Sequence, residues 1–256
     1  MHVERARFDY LLRLADSDLI LAQRLGEWIG HGPVLEEDIA LTNVGLDLLG
    51  QARLWFAYAG EVEARFEATG RDEDALAFGR NGGAFHNLLL VEQPNGNYAD
   101  TMVRQYYFDV WHRLLLVALV GSSDARIAEI AAKALKEVTY HAERSADWVV
   151  RLGDGTDLSH GKMQAAIDAL WMYTGELFVP DAAALALVQQ GIACDVSTLL
   201  PAWRDEIDAI LAEATLDVPN TPSMYKGGGS GVHTEHLGHL LATMQSMQRT
   251  YPGAQW

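Results

Sequence analysis

Glu137 and His141, in the stretch KEVTYHAERSADWVVRLG from Lys136 to Gly153, carry the most chemical potential in this chain. They stand about one helical turn apart, so a carboxylate and an imidazole share one helix surface. That surface is the apolar one, because Ile127, Ile130, Ala134, Val138, Trp148 and Leu152 recur in phase with them. Burying such groups is costly unless each has a partner, so the helix is expected to serve a metal site, an acid/base site or a satisfied polar network. Three other carboxylates sit on apolar helices. Asp18 falls in phase with Leu11, Leu14, Ala15, Leu21, Ala22, Leu25 and Trp28, whereas Asp16 is out of phase. Asn43, Asp47 and Gln51 recur every four residues as a thin polar stripe. Asp109 and His112, three apart, have a chelating spacing that a stacked or exposed imidazole would satisfy equally well.

Helices must position all of these groups. A first helix is expected from about Ala6 to Ile29, stopped by Gly30, Gly32 and Pro33. A second begins with Glu36, Glu37 and Asp38, where the helix dipole favours acids, and runs to about Tyr58. Residues Glu61 to Asp74 read as a solvated surface segment, and Gly79 to Asp100 as a long connection with Leu88 to Val91 packed beneath it. The third and fourth helices are expected at about Tyr98 to Val120 and from about Asp124 to Gly153. Such a crossover between the second and third helices suits a ferritin-like four-helix bundle.

The last third continues in helical pattern. Met163, Ala166, Ile167, Leu170, Trp171 and Phe178 fit one helix, and Ala182 to Gln190 fit another closed by Gly191. Trp203, Ile207, Ile210, Leu211 and Ala214 fit a third that begins near Ser197 and Pro201. A loop follows through Pro219, Pro222 and the run KGGGSG at Lys226 to Gly231, which lacks the order of a phosphate-binding loop and reads as a flexible surface segment. A final helix starts at Thr234 and Glu235 and carries Leu237, Leu240, Met244 and Met247. His233, His236 and His239 drift around that helix without an HExxH frame, which argues against a metal cluster. The fold class is therefore all-α, a ferritin-like four-helix bundle with additional C-terminal helices. It is expected as a single domain over residues 1–256, with a core at about 6–153 and extra helices at about 161–250.

A di-iron bundle asks for a Glu on each of two helices and Glu-x-x-His on each of the other two. Asp18, Asp47, Asp109 and Glu137 supply acids, but the position three after Asp47 is Gly50 and the position three after Glu137 is Tyr140. His141 at i+4 points about 100° away from Tyr140. His112 lies where the template needs only a carboxylate. Asp18, Asp47, Asp109, Glu137 and His141 are therefore expected to form a vestigial buried polar cluster, with no catalytic, cofactor-binding or metal-ligating residue. The alternative is a self-sufficient metal oxygenase using Glu137, His141, Asp109 and His112. Iron storage would need a ferroxidase site and a cage-forming surface, and the sequence shows neither.

Composition narrows the partners. With 35 acidic against 19 basic residues, the formal charge of -16 repels phosphate backbones and anionic membrane surfaces, so nucleic acid and membrane are not expected partners. Cys194 is the only cysteine, which excludes a disulfide framework and fits a reducing compartment. The opening MHVERARFDY has no apolar core, no run is long enough to span a bilayer, and a cytoplasmic location is expected.

Longer motifs carry a resemblance. GLDLLGQAR at Gly45 to Arg53, LLLVEQPNGNYADT at Leu88 to Thr101, KEVTYH and RLGDGT around the fourth helix, HTEHLG at His233 to Gly238 and the terminal PGAQW resemble the C subunit of the bacterial phenylacetyl-CoA epoxidase, a ring 1,2-monooxygenase. The likeness runs over nearly the whole chain. It implies a ferritin-like structural subunit with no cofactor of its own, paired with a related catalytic subunit that holds the di-iron centre and binds the CoA ester. It also implies a bridging subunit and a reductase with flavin, a two-iron cluster and NADPH, and the isolated chain is a candidate homodimer.

Overall fold

Side-chain caps set the start of about half of the helices. The computed structural model describes residues 3–221 and 224–254, and every regular element among them is helical. In chain order these are α1 (Val3–Gly26), α2 (Leu35–Glu63), α3 (Glu73–Phe78), α4 (Tyr98–Leu119), α5 (Ala125–Gly153), α6 (Asp157–Trp171), α7 (Ala182–Val188), α8 (Leu200–Glu213), α9 (Glu235–Met244) and α10 (Ser246–Thr250). Pro222 of the expected loop, and Gln255 and Trp256 of the terminal motif, lie outside the described residues. The chain divides into two compact units, one of Met1–Pro94 with Gly227–Trp256 and one of Asn95–Lys226.

In the first unit, α1 packs along α2 and is buried on nearly every side from Tyr10 to Leu25. Asp72 caps α3 by accepting from the Ala75 amide. The segment after Tyr58 departs from its expected character. Helix α2 runs on to Glu63, whose carboxylate is almost fully buried and accepts from the Arg71 amide at 2.9 Å and its guanidinium at 2.6 Å. Leu88 to Val91 are buried as expected.

The KGGGSG run is packed rather than free. Gly228 is buried, and a Cβ there would stand against the Asn87 carbonyl. Gly231 has φ +77, a conformation glycine adopts without penalty, and lies against the Gly83 carbonyl. Arg13 donates to the Gly229 carbonyl at 3.4 Å. The glycines thus permit backbone to lie on backbone, which sequence alone cannot distinguish from flexibility.

In the second unit, Asn97 and Asp100 form a capping box at the start of α4, and Asp124 caps α5 through the Arg126 and Ile127 amides. Helix α4 is buried from Thr101 through His112. Tyr107, Trp171 and Trp203 pack with ring centroids 5.8 Å apart in each pair, tying α4, α6 and α8 together. Phe178 reaches the same cluster, 5.3 Å from Trp203, but from a 3-10 turn at Gly175–Phe178 and not from α6, which ends at Trp171.

Candidate functional site

Two polar centres lie inside the helices. In the second unit, α4 and α5 bring together Asp109, His112 and His141, all buried. The Asp109 carboxyl accepts from Gln105 Nε2 at 3.0 Å on one oxygen, and its other oxygen lies 3.0 Å from Ser145 Oγ. Burial pushes its pKa up to about 8, against smaller opposing contributions from Ser145, the Arg144 charge and Gln105. Asp109 is therefore a neutral acid at pH 7. Ser145 Oγ also lies 3.3 Å from the Ala142 carbonyl, so its single hydroxyl hydrogen is shared between two acceptors.

His112 is stacked, as its spacing allowed, with ring centroids 5.0 Å from Phe108 and 6.4 Å from Trp111. Burial, with the nearby His141, lowers its pKa to about 3, so it is neutral imidazole. Glu137 is only half-buried. Tyr140, at the position the di-iron template gives to histidine, is 54% exposed.

In the first unit, Asp18 is fully buried on α1, and burial holds its pKa well above the usual carboxylate range, partly offset by a hydrogen bond from Trp55. Asp47 is half-buried on α2, and Gly50 is exposed. Among the described residues, no group of three or more His, Cys, Asp and Glu side chains is placed to hold a metal ion. A di-iron centre also does not fit the residues present. Both oxygens of Asp109 are engaged by Gln105 and Ser145, and neither Gly50 nor exposed Tyr140 supplies the imidazole that each Glu-x-x-His pair needs.

Periodicity passes over the densest polar network of the first unit. Asp16 is fully buried and takes the Arg80 guanidinium on both oxygens, while the His86 amide donates to it at 2.8 Å. Glu92, also fully buried, accepts from Asn87 Nδ2 at 2.8 Å, His233 Nδ1 at 2.8 Å, and the Thr234 amide and hydroxyl at 2.7 Å each. His233 Nε2 meets the Phe85 carbonyl at 2.9 Å. Both ring nitrogens thus face acceptors, which only the imidazolium satisfies. Burial alone would lower the His233 pKa, but the bonds to Glu92 and Phe85 and the charges of Glu92 and Asp16 outweigh it and raise it. The HTEH run is therefore a staple and not a cluster of ligands. His239 is exposed.

The sequence as a whole decides what these geometries leave open. Residues 2–256 match the family described as "Phenylacetic acid catabolic protein". The chain belongs to that family. A relative in Escherichia coli (strain K12), the C subunit of 1,2-phenylacetyl-CoA epoxidase, is 54% identical over 247 residues, covering 96% of this chain and 98% of the relative. The resemblance read from GLDLLGQAR, LLLVEQPNGNYADT and HTEHLG is thereby confirmed. Those motifs also acquire physical roles. LLLVEQ supplies Glu92 and HTEHLG supplies His233 and Thr234, so two of the quoted stretches meet in one buried network.

Asp109 makes a testable contribution to pH dependence. An acid whose folded pKa is raised stabilises fully below its ordinary value of 3.8 and loses that contribution as pH rises toward about 8, because the folded chain keeps a proton that the unfolded chain has released. The loss runs at up to about 1.4 kcal/mol per pH unit. Asp109→Asn is expected to flatten the fall in urea midpoint between pH 5 and pH 8. Parallel curves for variant and parent would mean that Asp109 is ionised in the fold.

Proposed function

We propose that this chain is the non-catalytic structural subunit of a multicomponent phenylacetyl-CoA ring 1,2-epoxidase in aerobic phenylacetate catabolism. The observation that carries the reading is end-to-end similarity, 54% identity over 96% of the chain, to a protein named as the C subunit of that epoxidase. The helix pairs α1/α2 and α4/α5 are the pieces that a ferritin-like bundle requires. Gly50, Tyr140 and the engaged oxygens of Asp109 support a bundle whose polar interior serves packing. In this reading the di-iron centre belongs to a catalytic partner subunit, with a bridging subunit and a reductase completing the system. This chain's work is to hold the partner's iron-bearing helices at a fixed spacing through a large helical interface. No helix among the described residues is long and apolar enough to cross a membrane, which agrees with a cytoplasmic complex.

The alternative has its own observation: Asp109, His112 and His141 do gather in one buried place. If that cluster, with Glu137, performs metal chemistry, His141→Ala will abolish turnover while the fold survives. If it is packing, the substitution removes one buried polar partner and costs about 1–3 kcal/mol. The expected result is a lower melting temperature with near-normal NADPH- and substrate-dependent oxygen uptake per assembled complex. An unchanged melt with lost uptake, or two irons per isolated chain after anaerobic iron loading, would reverse the assignment.

A further inference from the structure

Helix α2 is apolar on two faces, and among the described residues one of them packs while the other stays exposed. Leu41, Val44, Leu48, Trp55 and Phe56 are buried, while Leu35 is 71%, Ile39 51%, Leu46 59% and Leu49 41% exposed. Among the described residues no other helix exposes four large apolar side chains. Their positions are not scattered. Leu35, Ile39, Leu46 and Leu49, with Thr42 and Arg53 filling the register, follow steps that alternate four and three, the 3.5-residue repeat of a seam that packs against another helix along its length. From Leu35 to Arg53 this seam spans about 27 Å.

The seam continues into a cleft of about 300 Å³ between α2 and α3, lined by Leu19, Leu49, Ala52, Phe56, Ala77 and Phe78. Leu49 belongs to both. Gly50 beside it is exposed, and a Cβ there would meet nothing within 4 Å, so the surface is open at that point. A knob-bearing helix along the seam can thus place one large side chain in the cleft.

Charge selects the occupant. Exposed or half-exposed Glu36, Asp47 and Asp74 border the seam and cleft, and Arg53, the basic residue among them, is bridged to Glu73 at 3.2 Å. Two copies of this face would oppose acid to acid on chains of formal charge -16 each. We propose that the exposed α2 seam is the docking surface for a different, helical subunit of the same oxygenase, one that presents apolar side chains at 3.5-residue spacing flanked by Lys and Arg. This rests on the pairing proposed above and assigns it a place. Four side chains fall short of the roughly 800 Å² per partner of a stable interface, so the cleft must contribute, and the partner's cleft-filling residue is expected to be aromatic or Met.

The test co-expresses the full chain with the catalytic subunit of the same system and measures affinity by sedimentation. Ile39→Glu/Leu46→Glu is compared with Leu158→Glu/Val232→Glu, whose positions are 70% and 65% exposed but off the seam. All four positions are exposed, so melting temperatures should match the parent. The expected result is at least a 100-fold loss of affinity for the seam variant, none for the control, and weaker parent binding at high salt. Equal affinity of parent and seam variant overturns the seam while leaving the pairing intact. A parent chain that does not pair overturns both. If the seam variant instead dissociates a homodimer of the isolated chain and pairs normally, the surface serves a second copy and the proposal fails.

Discussion

Asp16→Ala is expected to destabilise the chain by about 3–5 kcal/mol, because it leaves the Arg80 guanidinium buried beside no counter-charge. The Arg80 side chain is 3% exposed and that of Asp16 is 0% exposed, so water cannot replace the lost carboxylate without opening the unit. Arg80 also donates to the Leu76 carbonyl at 2.5 Å and the Ala84 carbonyl at 2.7 Å, and its guanidinium lies 4.2 Å from the Phe85 ring centroid. These contacts hold it in place, so it cannot swing out to solvent cheaply. The melting temperature should fall by about 6–20 °C. A double variant, Asp16→Leu/Arg80→Met, should recover much of the loss, since the desolvation of both charges disappears with them. A fall below about 2 °C for the single variant would show that the pair is hydrated.

Glu92→Gln should be nearly as severe, and its effect should depend on pH. The carboxylate accepts four hydrogen bonds at 2.7–2.8 Å, whereas an amide offers one oxygen and turns an NH2 group toward donors. The expected cost is about 3 kcal/mol below pH 6.5, where His233 is charged in folded and unfolded chains alike. Because the folded pKa of His233 is raised, its contribution is fully present below the ordinary value of 6.5 and is lost as pH rises through the folded value. Hydrogen exchange at the α9 amides reads this directly. The parent should lose protection as pH rises above 6.5 and through the raised folded value, and the Gln variant should be poorly protected throughout. Equal protection of the two proteins at pH 6 would sink the idea that this imidazolium anchors the C-terminal segment.

Local chemistry makes most helices legible. Asp124 before an apolar period, Pro201 in a first turn and Gly191 after a last one are signals that act within a few residues, and α5, α8 and α7 begin or end there. Asp18 stands out as the polar exception on an apolar face, and Asp109 by its three-residue spacing to His112. Asp16 ranks below Asp18 in the sequence only because it is out of phase. On a helix buried all round there is no solvent side to set a phase, so being out of phase carries no information. Glu63 is lost among exposed charges because its partner Arg71 becomes a neighbour only after the chain turns back. The Glu92–His233 pair spans 141 residues and leaves no local trace.

That long-range pairing bears on how the protein is made. The first unit needs both chain ends, and the contiguous second unit, Asn95–Lys226, is translated between them. At about 5–20 residues per second the ribosome spends roughly 7–26 s on that insert, during which Glu92 has neither His233 nor Thr234 to receive. Leu88 to Val91 wait with it, without the glycine run that later lies across Asn87. The nascent chain therefore holds an apolar segment and an uncompensated carboxylate in suspension while a complete helical unit folds behind them. The half-built first unit is the stage at which holdase chaperones have something to bind, and termination anywhere before Gly227 damages the beginning of the protein more than its middle.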